Sequence, residues 1–277
     1  MAQALIRGYD NRYALNDLWG AAFGDSPDFI SAMYDAGYLR PSDVFALTED
    51  GRLLCAVFLP EYRLCLQGRD YPIRLLSCVA TDPQSRGKGY MTTLLRRAIE
   101  LVRGECDGIC VIPVSESLYS FYAAFGFRPA FYCSERVYPI DCSAAPVIPT
   151  PRSASELYSE YERKYHRDRC VFKTEERFSQ AITEYEHPSQ ASLFLSFDQG
   201  FAFVQKDGGE VIVREWACPD EASLAAYLIE RYGLPVRIQD FPCEDSDRTP
   251  MGMLLPLSQT LCDEWDGRDL YLNCMYN

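Results

Sequence analysis

A chain of 277 residues has room for one large or two ordinary domains with a proper core. Its 48% hydrophobic and 24% charged content is that of a soluble globular protein, and no apolar run approaches the ~20 residues of a membrane span. A net charge of −13 argues against nucleic acid as the main partner, which would require a basic face, and suits a cationic ligand. The opening residues "MAQALIRGYDNRYALNDLWG" lack the basic and apolar regions of a secretory signal. The twelve cysteines are scattered without a C-x-x-C, and the only histidines are His166 and His187. The expectation is a cytoplasmic protein with reduced thiols and no metal.

Along the chain, "NRYALNDLWGAAF" and "SPDFISAMYDAGY" have helical spacing of apolar residues, with Ser26-Pro27 as cap and first helical position. "DVFALTEDGRLLCAVFLPEYRLCL" predicts two strands about a turn at Asp50-Gly51. A turn through Gln67-Gly68-Arg69-Asp70 leads into the apolar strand "YPIRLLSCVAT". Next comes a glycine-rich turn and a helix with Met91, Leu94, Leu95, Ala98, Ile99 and Val102 on one face. "GICVIPV" predicts a buried strand, "SESLYSFYAAF" a short helix ending near Gly126, and "FRPAFYCSERVYPI" another strand.

The small-residue and proline-rich "DCSAAPVIPTPRSAS" predicts a linker between units at 1–142 and 150–277. Beyond it the order of elements recurs. Helices are expected around 153–164 and 173–185, and a hairpin through Gln199-Gly200. The strand "EVIVREWA", the helix "PDEASLAAYLIERY" and strands near 235–240, 251–257 and 269–276 follow. The recurrence has no glycine at its strand-to-helix junction.

The junction in the first half, "CVATDPQSRGKGYMTTLL", is where the chemistry concentrates. A strand entering a glycine turn and then a helix presents unpaired backbone N–H groups at a positive helix end. Glycines let a phosphate approach the backbone, and Arg86 and Lys88 add charge. The P-loop template fails because Lys88 lies between the two glycines. The dinucleotide template fails because Thr92 stands where its third glycine belongs.

"VATDPQSRGKGYMTTLL" resembles the acetyl-CoA signature of the GCN5-related N-acetyltransferases: a strand, V-x-x-P, then R-G-x-G opening a helix. "SLYSFYAAFGF" is similar to the same family's later helix, with a tyrosine four residues before Gly-Phe. The resemblance covers residues 1–140 and implies that family's α/β (α+β) fold, a mixed, mostly antiparallel sheet flanked by helices. The tandem layout resembles the enhanced-intracellular-survival type, with an acetyl-CoA-binding catalytic unit at 1–142 and a degenerate unit of the same fold at 150–277. At this length, no room is expected for that type's third domain.

The resemblance implies direct transfer of acetyl from acetyl-CoA to a primary amine of a small molecule or peptide, cationic before reaction, with both substrates bound together. Val79, Ala80 and Thr81 would pair with the pantetheine arm and polarise the thioester carbonyl. Arg86, Gly87, Lys88, Gly89, Tyr90, Met91 and Thr92 would hold the pyrophosphate. Met91 departs from the usual Gly or Ala, at a position that contributes backbone N–H. Ser115 stands where an asparagine often contacts pantetheine. Tyr122 would protonate the departing thiolate, leaving Tyr119 to packing. In the tandem enzymes the C-terminal carboxylate serves as base, which carries over to Asn277. Glu116 and Glu135 are further carboxylates near the motif, and the residues alone do not choose the base or the oligomeric state. Two rival readings stand beside this one: a catalytically weak CoA-binding or regulatory module, and a nucleotide-binding protein of another fold.

Overall fold

The computed structural model describes residues 3–242 and 248–272. The first half runs β1 (Gln3–Arg7), α1 (Arg12–Phe23), α2 (Pro27–Asp35), β2 (Val44–Glu49), β3 (Arg52–Phe58), β4 (Glu61–Leu66) and β5 (Arg69–Thr81). It continues with α3 (Tyr90–Val102), β6 (Gly108–Val111), α4 (Glu116–Ala123) and β7 (Arg128–Tyr138). Ser26 caps α2 by accepting from the Phe29 amide at 3.2 Å, with Pro27 in the first turn as the Ser-Pro pair predicts. Where two strands were expected over 43–66 there are three. Pro60 has no amide hydrogen for a ladder, and the chain turns there between β3 and β4.

The second half runs α5 (Ala154–Tyr165), β8 (Cys170–Phe172), α6 (Glu175–Tyr185), β9 (Ser192–Phe197), β10 (Gly200–Asp207) and β11 (Glu210–Ala217). It ends with α7 (Glu221–Tyr232), β12 (Val236–Asp240), β13 (Arg248–Pro256), α8 (Gln259–Glu264) and β14 (Tyr271–Leu272). Of the strand expected over 269–276, Tyr271 and Leu272 pair with β8, and 273–276 lie outside the described residues.

These strands form one mixed, mostly antiparallel sheet in the order β1-β2-β3-β5-β6-β13-β7-β12-β11-β10-β9, with β4, β8 and β14 branching from it. Its centre interleaves the halves. β13 lies antiparallel between β6 and β7, and β7 pairs on its other side with β12. Gly252 permits the closest approach, because a Cβ there would lie 2.6 Å from the Val111 carbonyl oxygen of β6.

α3 buries Leu94, Leu95, Ala98 and Val102 against β2, β3 and β5, the face its periodicity predicts. Each such leucine contributes about 1.5–3 kcal/mol of burial. On the other side α1 and α2 pack Leu15, Leu18, Trp19, Ile30 and Met33 onto β2, β3 and β5. There α6 of the second half also docks. Buried Arg177 donates to the Tyr38 carbonyl at 3.2 Å and to Gln180 at 2.9 Å, and pairs with Asp43 at 3.4 Å. Phe29 and His187 meet edge to face at 5.3 Å. These contacts hold the C-terminal end of α6 beside the first half's principal cavity.

Candidate active site

The cavity begins where β5 loses a partner. β5 pairs with β3 as far as Thr81, but with β6 only as far as Leu76↔Val111. Beyond Leu76 the edge of β5 that faced β6 is bare. Cys78 sits there at φ +49, where non-glycine residues are uncommon, and the β3–β5 register shifts between Ala56↔Ala80 and Phe58↔Ser77. That is one extra residue on β5, a bulge of the kind that re-aims backbone groups. Val79, Ala80 and Thr81 line a cavity of about 470 Å³ beside it.

At the end of β5 the chain turns tightly. The Asp82 amide donates to the Leu54 carbonyl at 2.9 Å, and its carboxylate accepts from the Ser85 hydroxyl at 3.0 Å and the Gln84 amide at 3.4 Å. Gly87 and Gly89 follow at φ +75 and +78, a left-handed conformation that opens α3 without a side-chain cap. The first intrahelical bond is Thr93 to the Gly89 carbonyl at 3.0 Å, so the amides of Tyr90, Met91 and Thr92 have no partner within the helix. Such a helix start attracts an anion. Arg86 donates to the Thr81 carbonyl at 3.2 Å and lines the cavity, as does Met91. Lys88 is exposed on the turn, with Gly87 and Gly89.

Tyr122 closes the same cavity from α4. It is 4% exposed, held edge-on by Phe121 at 5.2 Å and Phe127 at 5.8 Å. Its hydroxyl has no hydrogen-bond partner among the described residues. Burial pushes this phenol up to about 12, so it carries its proton at neutral pH and can act there as a donor only. Tyr119 is half-buried on the same helix and packs against the core. Ser115 stands at the N-cap of α4, exposed, with its hydroxyl 2.9 Å from that of Ser117, outside the cavity lining. Asn277 lies outside the described residues.

Neither carboxylate singled out near the motif reaches the cavity. Glu116 is exposed at the start of α4, and Glu135 is engaged by Arg237 at 2.9 Å and Gln239 at 2.8 Å. The carboxylates on the lining are Asp25 and Glu184. Asp25 accepts from the Trp19 indole at 2.6 Å and Gln190 at 3.5 Å. Glu184 is half-buried, yet its Oε2 is closed to solvent and has no hydrogen-bond partner among the described residues. Burial raises this carboxyl well above the ordinary range, against the pull of Lys173 and with a further push from Asp25. Glu184 did carry a signal in the sequence. Arg177, Gln180 and Glu184 recur at i, i+3 and i+7 on α6, a polar stripe beside the apolar Phe178, Ala181 and Tyr185. The remaining wall comes from Trp19, Phe23, Phe29, Met33 and Tyr38, which amphipathic spacing alone marks as core.

Elsewhere, Cys65, Asp70 and His166 bring one potential ligand atom each within 4.8 Å of the others, His166 already bonded to Asp70 at 2.9 Å. The ten described cysteines are free thiols. No helix among the described residues is long and apolar enough to cross a membrane.

Residues 10–130 match a family model described as an acetyltransferase (GNAT) domain. No curated protein matches the chain significantly. Among solved structures, it is similar to an Enterococcus faecalis protein described as a probable N-acyltransferase. The TM-score is 0.70 at 14% identity, over 96% of this chain and 75% of that one. A GCN5-related N-acetyltransferase from Kribbella flavida gives a TM-score of 0.66 at 14% identity, over 92% of this chain and 71% of that one. Eis1 from Mycobacterium abscessus gives 0.65 at 11% identity, over 92% and 74%. At these identities the likenesses establish the fold.

Proposed function

We propose that this chain, whose residues 10–130 match a GNAT acetyltransferase domain model, moves acetyl from acetyl-CoA directly to a primary amine, both bound in the cavity beside β5. The convergence of three features on that cavity carries the reading: the bare edge of β5, the uncapped start of α3, and the protonated Tyr122.

In this reading residues 1–142 form the catalytic unit and 150–277 the degenerate unit. The amides of Tyr90 to Thr92, with Gly87, Gly89, Arg86 and Lys88, hold the pyrophosphate. Backbone groups of Val79, Ala80 and Thr81 align the pantetheine arm and polarise the thioester carbonyl. The amine nitrogen attacks the carbonyl carbon, the carbon–sulfur bond breaks, and Tyr122 gives its proton to the sulfur. Ser115, outside the cavity lining at the start of α4, keeps its pantetheine role only as what the family motif implies, and the protein works in the cytoplasm.

CoA and acetyl-CoA are expected to raise the melting temperature, and ATP and NAD are not. A ligand of the native state alone contributes about 2.7 kcal/mol at a hundredfold excess over its Kd. Calorimetry should find one CoA per chain. The matching junction of the second half is already occupied, because the Asp220 carboxylate accepts from the Ala222 and Ser223 amides at 3.1 and 3.3 Å at the start of α7. A stoichiometry of two would contradict the assignment.

Gly89→Val should weaken CoA binding by about 100-fold or more, since a β-branched residue at positive φ costs about 1–2 kcal/mol or more and its side chain obstructs the phosphate. A Cβ at Gly89 meets no protein atom within 4 Å, so the variant should still fold. Unchanged CoA affinity in this variant would remove the turn from the site.

A further inference from the structure

We infer that Glu184, delivered by the second half of the chain, anchors the acceptor's ammonium group and takes its proton, and that the acceptor is an amine with a compact apolar or aromatic body. The proton-transfer step rests on the acetyl-transfer reading; the binding assignment does not.

The cavity divides by chemistry. Its cofactor side is the edge of β5 with Arg86, Met91 and Tyr122, and its other side is mostly apolar, built from Trp19, Phe23, Phe29 and Met33 with the polar ends of Tyr38 and Gln190. Among the described residues two anionic groups line the cavity, and they are not equivalent. Asp25 already accepts from Trp19 and Gln190, whereas the Oε2 of Glu184 accepts from nothing described. A buried polar atom without a partner costs about 1–3 kcal/mol, so its persistence at a cavity wall points to a ligand that satisfies it. In the ionised form that oxygen accepts only, so the ligand that satisfies it is a donor. It must also be largely apolar, because beyond Asp25 the wall's polar side chains are few, Tyr38, Ser77 and Gln190, and a polyamine or an aminoglycoside would bring more charged or hydroxyl groups than these can partner. A single ammonium on an apolar body fits both demands.

The groups facing Glu184 come from each surrounding element: Asp25 before α2, Tyr38 after it, Cys78 on β5, Lys173 after β8, and Tyr185 on α6. Burial holds the carboxyl well above its ordinary range, which brings its proton affinity towards that of a useful base. The ammonium gives one proton to the Glu184 carboxylate and becomes a neutral amine. That amine attacks the thioester carbon, the thiolate leaves with the Tyr122 proton, and the amide nitrogen returns a proton to the Tyr122 phenolate. Glu184 then releases its proton to solvent, so one proton appears per amide formed.

The test is calorimetry on the full chain without cofactor, comparing 2-phenylethylamine, its neutral isostere 2-phenylethanol, and spermidine. The wild type should bind 2-phenylethylamine about tenfold or more tightly than the alcohol, since a desolvated ion pair contributes at least about 1.4 kcal/mol, and more tightly than spermidine, whose further charges meet a mostly apolar wall. Glu184→Gln should abolish the preference over the alcohol, leaving CoA affinity intact. A preference retained by Glu184→Gln, or absent from the wild type, overturns the anchor, and tighter binding of spermidine overturns the acceptor class.

Folding is read separately. A carboxyl raised above its unfolded value of 4.5 makes the folded state lose stability as pH rises from that value through the raised one. Glu184→Gln lacks that loss, so its melting temperature should gain on the wild type as pH rises from about 5. An unchanged difference over that rise would contradict the buried, unpaired carboxylate. Failure of the wild type to bind CoA would instead strike the acetyl-transfer reading, while the amine preference would still report on Glu184.

Discussion

Tyr122→Phe is expected to lose about 10²–10⁴-fold in kcat, the usual scale for one acid–base group, at unchanged affinity for acetyl-CoA. The hydroxyl has no partner among the described residues, so removing it leaves no buried group stranded, and the ring keeps its contacts with Phe121 and Phe127. Stability should therefore hold. The ground state gains nothing from this proton, because charge develops on sulfur only as the carbon–sulfur bond breaks. The raised phenol, at about 12, also places any loss of activity from Tyr122 ionisation far above neutral pH. Turnover equal to wild type in Tyr122→Phe would leave the residue a packing group.

The second large effect is on stability. Lys173 and Glu215 are both 0% exposed, and the ammonium reaches the two carboxylate oxygens at 2.8 and 2.9 Å. Burial alone raises the Glu215 carboxyl, and Lys173, with a smaller pull from Lys164, opposes that rise. Lys173→Met strands a buried carboxylate and should cost about 3–5 kcal/mol. At this chain length that lowers the melting temperature by about 10 °C. Pairing Lys173→Met with Glu215→Leu should recover most of the loss, because an apolar pair of similar volume avoids the desolvation of both charges. A single variant as stable as wild type would mean that the pair is not buried as described. Lys173 also opposes the rise at Glu184, so an amine-dependent pH profile should move upward in the same variant.

Much of the cofactor side was legible in the sequence because it is local. The periodicity of Leu94, Leu95, Ala98 and Val102 fixes the buried face of α3, and Arg86-Gly87-Lys88-Gly89 reads directly as a turn opening a helix. Ser26-Pro27 marks the start of α2 for the same reason. What escaped is non-local or too short to show a period. β8 has three residues, and Pro60 divides a run whose residue pattern continues on both sides of it. The bulge at Cys78 depends on register against β3, which no run of residues in β5 displays. The insertion of β13 between β6 and β7 joins segments more than a hundred residues apart.

The acceptor wall shows the same division. Trp19, Phe29 and Met33 read as core from spacing, and they do pack there, but they also face the cavity. Glu184 reaches that cavity because α6 is tied to the first half, by Arg177 to Tyr38 and Asp43 and by His187 against Phe29. A search for a base confined to the neighbourhood of the glycine turn therefore finds Glu116 and Glu135, and neither lines the cavity.

The most direct test of acetyl transfer at this cavity is the simultaneous measurement of free CoA thiol and acetylated amine during turnover of acetyl-CoA with 2-phenylethylamine. The expected result is one amide for each thiol released, with the rate dependent on both substrates. Acetyl-CoA that binds without yielding amide from this or any other primary amine, or thiol released without amide, would contradict it and leave the chain a CoA-binding module.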